Sequence, residues 1–414
     1  MPRHRILALA LAATLVALPA ASQQGKGPKT QVYIDVATHE FAGMPSLGGL
    51  GGFMMRRMGG DKGPQGYPES RRVPGMTGKY LDIALYNGLK PGVEATQFVP
   101  AGLDVGKSLP LVPPVAQPSE HGQYDPKNVD VDVTFYQYWG CGAAVGPGQP
   151  KVFHVKMKDG QMQSSGGMAP GLFVPDRDID ATPAYAVWPN RKNTKRVSDD
   201  SSMVGGHSIV GDGVPESLKF DLDQNADFMP RISLRSQGKP EDAIAVSWQP
   251  VERARAYFLT AFGAKSQHEF VMWSSSEVAG AGSELLNYLT GSYVDKWLKQ
   301  KVLLPTSTTN CTVPKGIFAS SGGAGAQQGG MGGMGMLTMI AYGPETNIAW
   351  PPKPSNPKTP WNPEWNVRVR TKSTASALLG MDMSGMQQQD GQPQQQQKKP
   401  GMRGLLKGIL GGGG

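Results

Sequence analysis

The stretch VDVDVTFYQY, Val129 to Tyr138, sets Val129, Val131, Val133 and Phe135 at alternate positions against Asp130, Asp132 and Thr134. Successive side chains of a strand point to opposite faces, so this is the pattern of an antiparallel strand with one apolar face and one solvated face. The same period of two recurs on either side. Lys151 to Lys158 opposes Phe153, Val155 and Met157 to His154, Lys156 and Lys158, and Ser217 to Asp223 repeats the pattern with Leu218, Phe220 and Leu222. Gln31 to Thr38 and Lys79 to Leu89 read as further strands. Together these runs predict a mainly β protein made of antiparallel β-sandwich domains.

Composition agrees. The 414 residues include 55 glycines and 35 prolines, with 39% hydrophobic and 18% charged residues, a balance that favours turn-rich β structure and disordered segments over a helical bundle. The formal net charge of +8 is scattered. A nucleic-acid binder gathers Lys and Arg into one stripe interleaved with aromatics, and outside the C-terminal tail there is no such stripe, so nucleic acid is not an expected partner.

The N-terminus carries Arg3 and Arg5, an apolar run from Ile6 to Leu18 broken by Thr14, and small residues at Ala20 and Ser22. That layout predicts a secretory signal peptide over residues 1–22, cleaved before Gln23. The run is shorter than the ~20 residues a spanning helix needs, so no transmembrane segment is expected in the mature chain. A periplasmic or secreted location follows, with a protein or cell-envelope partner. In an oxidising compartment the two cysteines, Cys141 and Cys311, are expected either as one disulfide or as two separately buried thiols.

Segment 244–275 opens with IAVSWQP, in which Ile244, Val246 and Trp248 alternate, followed by a Pro250 turn and a strand beginning at Tyr257. This resembles the second and third strands of a fibronectin type III domain, where a core tryptophan and a tyrosine on the next strand pack between two sheets. The resemblance implies a β-sandwich with Trp248 and Tyr257 in those places. A helix is expected as an insertion over 283–302, capped by Ser283, with Leu286, Leu289, Tyr293, Trp297 and Leu298 on one face and Pro305 beyond its end. The resulting organisation is a signal peptide (1–22), a first strand with a Gly/Met-rich linker (23–75), a β-rich domain (76–240), a fibronectin type III-like sandwich (241–372) and a disordered Gln/Gly/Met-rich tail (373–414).

No complete catalytic constellation is present, so a non-catalytic binding or structural role is expected. The alternatives are a hydrolase whose site assembles only in the fold, or a calcium- or copper-binding protein. GHSIVG around Ser208 approaches a nucleophile elbow but has Val210 where the motif needs glycine. DLDQNAD places Asp221, Asp223, Asn225 and Asp227 at alternate positions, a set of oxygens suited to calcium, although Ala226 replaces the turn glycine of an EF-hand loop. Asp176, Asp178 and Asp180 form a weaker copy. Met331, Met334 and Met336, and then Met381, Met383 and Met386, offer soft thioethers of the kind Cu(I) prefers. Trp361 and Trp365 read either as a binding strip or as packing over the sandwich. In the basic C-terminus, Leu405, Leu406, Ile409 and Leu410 read mainly as part of the disordered tail.

Overall fold

The computed structural model describes residues 28–42, 66–71, 77–115, 130–158, 161–321, 333–356 and 358–379. The segment expected as a signal peptide, most of the glycine- and methionine-rich linker and the chain beyond Leu379 lie outside them. In chain order the first half supplies β1 (Thr30–Phe41), β2 (Gly78–Asn87), β3 (Ala95–Phe98), β4 (Ser108–Leu111), β5 (Val131–Trp139), β6 (Lys151–Lys158), β7 (Gln161–Gly166), β8 (Tyr185–Trp188), β9 (Gly205–Gly211) and β10 (Lys219–Leu222). The second half supplies β11 (Arg235–Gln237), β12 (Ile244–Ser247), β13 (Ala256–Ser266), β14 (Glu269–Ser274), the helix α1 (Gly291–Lys299), β15 (Asn310–Val313), β16 (Met334–Trp350) and β17 (Trp365–Leu379). Among the described residues no helix is long and apolar enough to cross a membrane.

One sheet of ten strands runs in the order β7-β6-β5-β14-β13-β16-β17-β1-β2-β8. Its neighbours are antiparallel except for two parallel pairs, β1 with β17 and β14 with β5. The back of this sheet is covered by two small sheets, which gives the molecule its sandwich-like layering. Over β1, β2 and β17 lies the four-stranded sheet β10-β9-β3-β4, and between them sits a core that includes Val32, Ile34, Ile83, Leu109, Ile209, Phe220 and Val367. Over β13, β14 and the first part of β16 lies the three-stranded sheet β11-β12-β15, enclosing a second core with Val246, Leu259, Val271, Trp273, Val313 and Leu337. Trp248 meets Tyr257 edge-on at 5.6 Å across these two layers. Cys141, just past β5, and Cys311 on β15 join the layers as a disulfide, with Cα atoms 5.1 Å apart.

Three sequence expectations are corrected. Residues 76–240 and 241–372 do not form separate sheets, because β5, β6 and β7 from the first stand beside β14 and β13 from the second. Ser373 to Leu379, expected in the tail, completes β17: Thr374 and Ser376 pair with β1, and Leu378 with Met336. The expected helix over 283–302 is shorter. Ser283–Leu285 forms a 3-10 turn, and α1 begins at Gly291 with Thr290 as its cap, Oγ1 accepting from the Tyr293 amide. The intervening residues are drawn elsewhere: Asn287 hydrogen-bonds Asp178 at 2.6 Å and the Tyr288 ring lies against Arg370 and Lys372. Trp297 and Val294 of α1 pack on Phe258 and Ile340 on the front of the sheet.

Candidate functional site

The front of the ten-stranded sheet differs from its back. On β1, β2 and β17 the residues that alternate with the core valines, leucines and isoleucines are polar. Asp35 stands in register between Asp82 and Arg370, Ala37 between Tyr80 and Lys372, and His39 beside Thr374. Segments around 66–71, 174–180 and 286–290 cross this face and shut it from water. Asp35, 1% exposed, accepts from Arg370 Nε at 2.7 Å and Nη2 at 2.6 Å, and from Arg71 Nε at 3.0 Å. Arg370 also donates to Asp178 at 2.8 Å. Burial alone would raise the Asp35 carboxyl, but Arg370, with Arg71 behind it, overrides burial and holds it at about 2.

Two other groups in this layer are displaced toward neutrality. Burial pulls the Lys372 ammonium down to about 7, with Asp35 opposing, and its Nζ donates to the carbonyls of Arg71 and Leu286 at 3.3 and 3.4 Å. Burial pushes Asp82 up to about 7, even though the Ser70 hydroxyl and the Glu69 and Ser70 amides all donate to it at 2.6–2.8 Å. His39 is held well below its ordinary value by burial and by Lys372. An acid and a lysine both near neutrality are a common catalytic arrangement. Here both are fully buried, and the shallow adjoining cleft is lined by Arg370 and Tyr288 but by neither Asp82 nor Lys372. The hydrogen bonds and ion pairs of this layer tie β1, β2 and β17 to the segments that cover them.

At the opposite end the front is open. Phe135 on β5 stands in register with Phe270 on β14, their rings stacking at 5.6 Å, and Phe262 on β13, diagonal to Phe270 and opposite Met272, stacks on it at 5.8 Å. Phe262 is 50% exposed, Met336 beside it on β16 is 38% exposed, and Met162 on β7 is 70% exposed. Val133, Val155, Phe153 and Met272 fill the rows between them and are half-buried. Among the described residues no acidic side chain stands on this face between β7 and β16, and Lys151 sits at its border. The β6–β7 hairpin projects past both small sheets, so its reverse side, with His154 and Lys156, faces solvent too. Isolated apolar side chains on a surface are ordinary, whereas a contiguous apolar area of several hundred Å² marks a contact surface.

No family model, curated protein or solved structure matches this chain. The residues singled out in the sequence are placed as follows. Asp221 is exposed on β10, Asp223 caps a short 3-10 turn by accepting from the Asn225 amide, and Asp227 accepts from the Ser202 hydroxyl and the Met203 and Phe228 amides. These oxygens are turned to protein donors rather than brought round one point, and among the described residues no group of three or more His, Cys, Asp or Glu is placed to hold a metal. Asp178 serves the arginine network, and Asp176 accepts from the Asp178 amide. Ser208 lies within β9 rather than on a strand-to-helix turn, and its neighbour His207 is buried against Phe220 at 5.3 Å. Trp365 is in the core, with Nε1 donating to Ser217, while Trp361 donates to the Pro351 carbonyl. Of the methionines read as copper ligands, Met336 is on the open face, the Met334 side chain is not described, and Met331, Met381, Met383 and Met386 lie outside the described residues.

Sequence reasoning missed the polar layer. WNVRVRTKST alternates as cleanly as a solvated strand, and nothing in it announces that Arg368, Arg370 and Lys372 will be covered. The available signal was the matching charge at equivalent alternating positions, Asp35 on one strand and Arg370 on another.

Proposed function

We propose that this is an exported, non-catalytic binding protein of the cell envelope, released from its leader before Gln23, whose open sheet face is its contact surface. The observation that carries the reading is the row of stacked rings, Phe262 half-exposed and Phe270 and Phe135 partly exposed, on a face that has no acidic side chain among the described residues. Apolar area left in water costs about 25 cal/mol per Å², so covering it is the driving force for association. A sealed polar layer, and a cleft lined by neither Lys372 nor Asp82, favour a structural use of the buried charges over catalysis. The edge-on contact of Trp248 with Tyr257 supports a fibronectin type III-like reading of the small sheet over β13.

The test uses the methionines on the face as reporters. Oxidation of an exposed thioether adds one oxygen and is read by mass. In intact cells Met162, Met272 and Met336 are expected to oxidise several-fold more slowly than in dilute purified protein. Equal rates in the two settings overturn the reading.

A further inference from the structure

We infer that the occupant of the open face is a second copy of this chain, the two large sheets packing face to face about a two-fold axis. This rests on the reading of that face as a contact surface and names its partner. With no acidic side chain on it among the described residues and Lys151 only at the border, the face gives a charged partner little to recognise and sets few like charges against each other when it meets itself. Its selection is by shape. The shape that fits a twisted, pleated sheet is another such sheet at about 10 Å, with strands offset by about 30°, and this chain carries one of equal extent.

The area is on the scale of a modest symmetric pair. The face spans six strands, from β7 to β16, and narrows toward β16, where Thr338 and Ile340 are buried; taken as about five residues long, at ~4.8 Å between strands and ~3.4 Å per residue, it is roughly 400 Å² of plane per copy. Side-chain relief carries the accessible area toward the ~600 Å² per partner of a small or transient interface. A two-fold contact is isologous, the same patch on both copies. The stripe of Phe262, Phe270 and Phe135 crosses three adjacent strands, so in such a contact it lies against its own copy, and aromatic residues are the ones that dominate the centre of an interface.

The experiment is sedimentation equilibrium of the full mature chain from about 1 to about 100 μM, a range that spans ordinary dimer affinities. The expected result is a twofold rise in mass, with Met162, Met272 and Met336 losing reactivity to oxidant as the dimer forms. Phe270→Lys is expected to be monomeric throughout and Lys156→Gln, on the reverse side, to dimerise as the parent does. Because Phe270→Lys carries a folding risk, circular dichroism is read beside it, and the thioether footprint of the unmodified chain decides the matter independently. A chain still monomeric at about 100 μM overturns the inference. So does a folded Phe270→Lys dimer, or thioethers already protected in the dilute monomer, since the cover is then within one molecule. If the thioethers are protected in cells while the pure chain stays monomeric, the contact surface stands and the second copy does not.

Discussion

Asp35 and Arg370 occupy one register position of the parallel pair β1 and β17, and close a two-point ion pair with side chains 1% and 4% exposed. Two strands separated by most of the chain are thus fastened by charge on their front and by Ile34 and Val369 on their back. A buried pair of this kind is held in place by the cost of breaking it more than by a net gain from forming it.

Asp35→Ala is accordingly expected to destabilise the protein by about 3–5 kcal/mol, because it leaves Arg370 buried with Asp178 as its remaining carboxylate. Replacing both partners, Asp35→Leu with Arg370→Met, is expected to recover much of that loss. Urea denaturation of the three proteins decides it, and a single variant costing under about 1 kcal/mol would contradict the account.

Lys372 sets a pH dependence. Its folded value of about 7 lies below the 10.5 of an unfolded lysine, so between those limits the unfolded chain binds more protons and stability rises with pH. Below about 7 the buried ammonium imposes its full cost, on the order of a few kcal/mol. Lys372→Met is expected to lose the rise between pH 7 and 10 and to exceed the parent in stability at pH 6. Denaturation midpoints across that range test it, and parallel profiles for the two proteins would refute it.

Cys141 and Cys311 close a loop spanning a sequence separation of 170. The chain-entropy argument gives such a link about 5 kcal/mol. The Cys141→Ser, Cys311→Ser double variant, and the parent under reductant, are expected to unfold at a lower denaturant midpoint by that order. Intact mass before and after reduction reports the bond directly, and the same spectrum reports whether the chain starts at Gln23.

Gly343 marks where the register of β16 against β17 shifts, between Tyr342 and Glu345. A Cβ there would lie 2.1 Å from Thr371 Oγ1 and 2.5 Å from Met229 Sδ. Gly343→Ala is expected to cost about 1–3 kcal/mol through overpacking, visible as a lower thermal midpoint. An unchanged midpoint would show that β17 gives way freely.

The β class was legible because alternation is a local property, and VDVDVTFYQY, KVFHVKMK and the strand beginning at Tyr257 all lie where the pattern put them. What alternation does not carry is the identity of the cover. Val133 and Phe135 read as a face meeting a core and stand on the open side, while Arg370 and Lys372 read as a solvated side and are sealed. Both differences arise from residues remote in sequence: the segments around 66–71, 174–180 and 286–290 cross one end of the front and leave the other bare. The long helix expected from Ser283 is interrupted for a related reason: Asn287 bonds Asp178 and the Tyr288 ring lies over Arg370 and Lys372, contacts remote in sequence that a continuous helix would not make. Within the calcium spacing of Asp221 to Asp227, backbone amides bond the carboxylates of Asp223 and Asp227, while Asp221 is exposed.

The pairing of β1 with β17 also governs timing. Asp35 and Arg370 are 335 residues apart, so the middle of the large sheet cannot close until nearly the whole polypeptide has emerged. Contacts of such long range make folding slow. For the exported chain proposed above, that delay is useful: while its last strand is still being delivered, its first lacks one of its two neighbours, and the sheet stays open during passage.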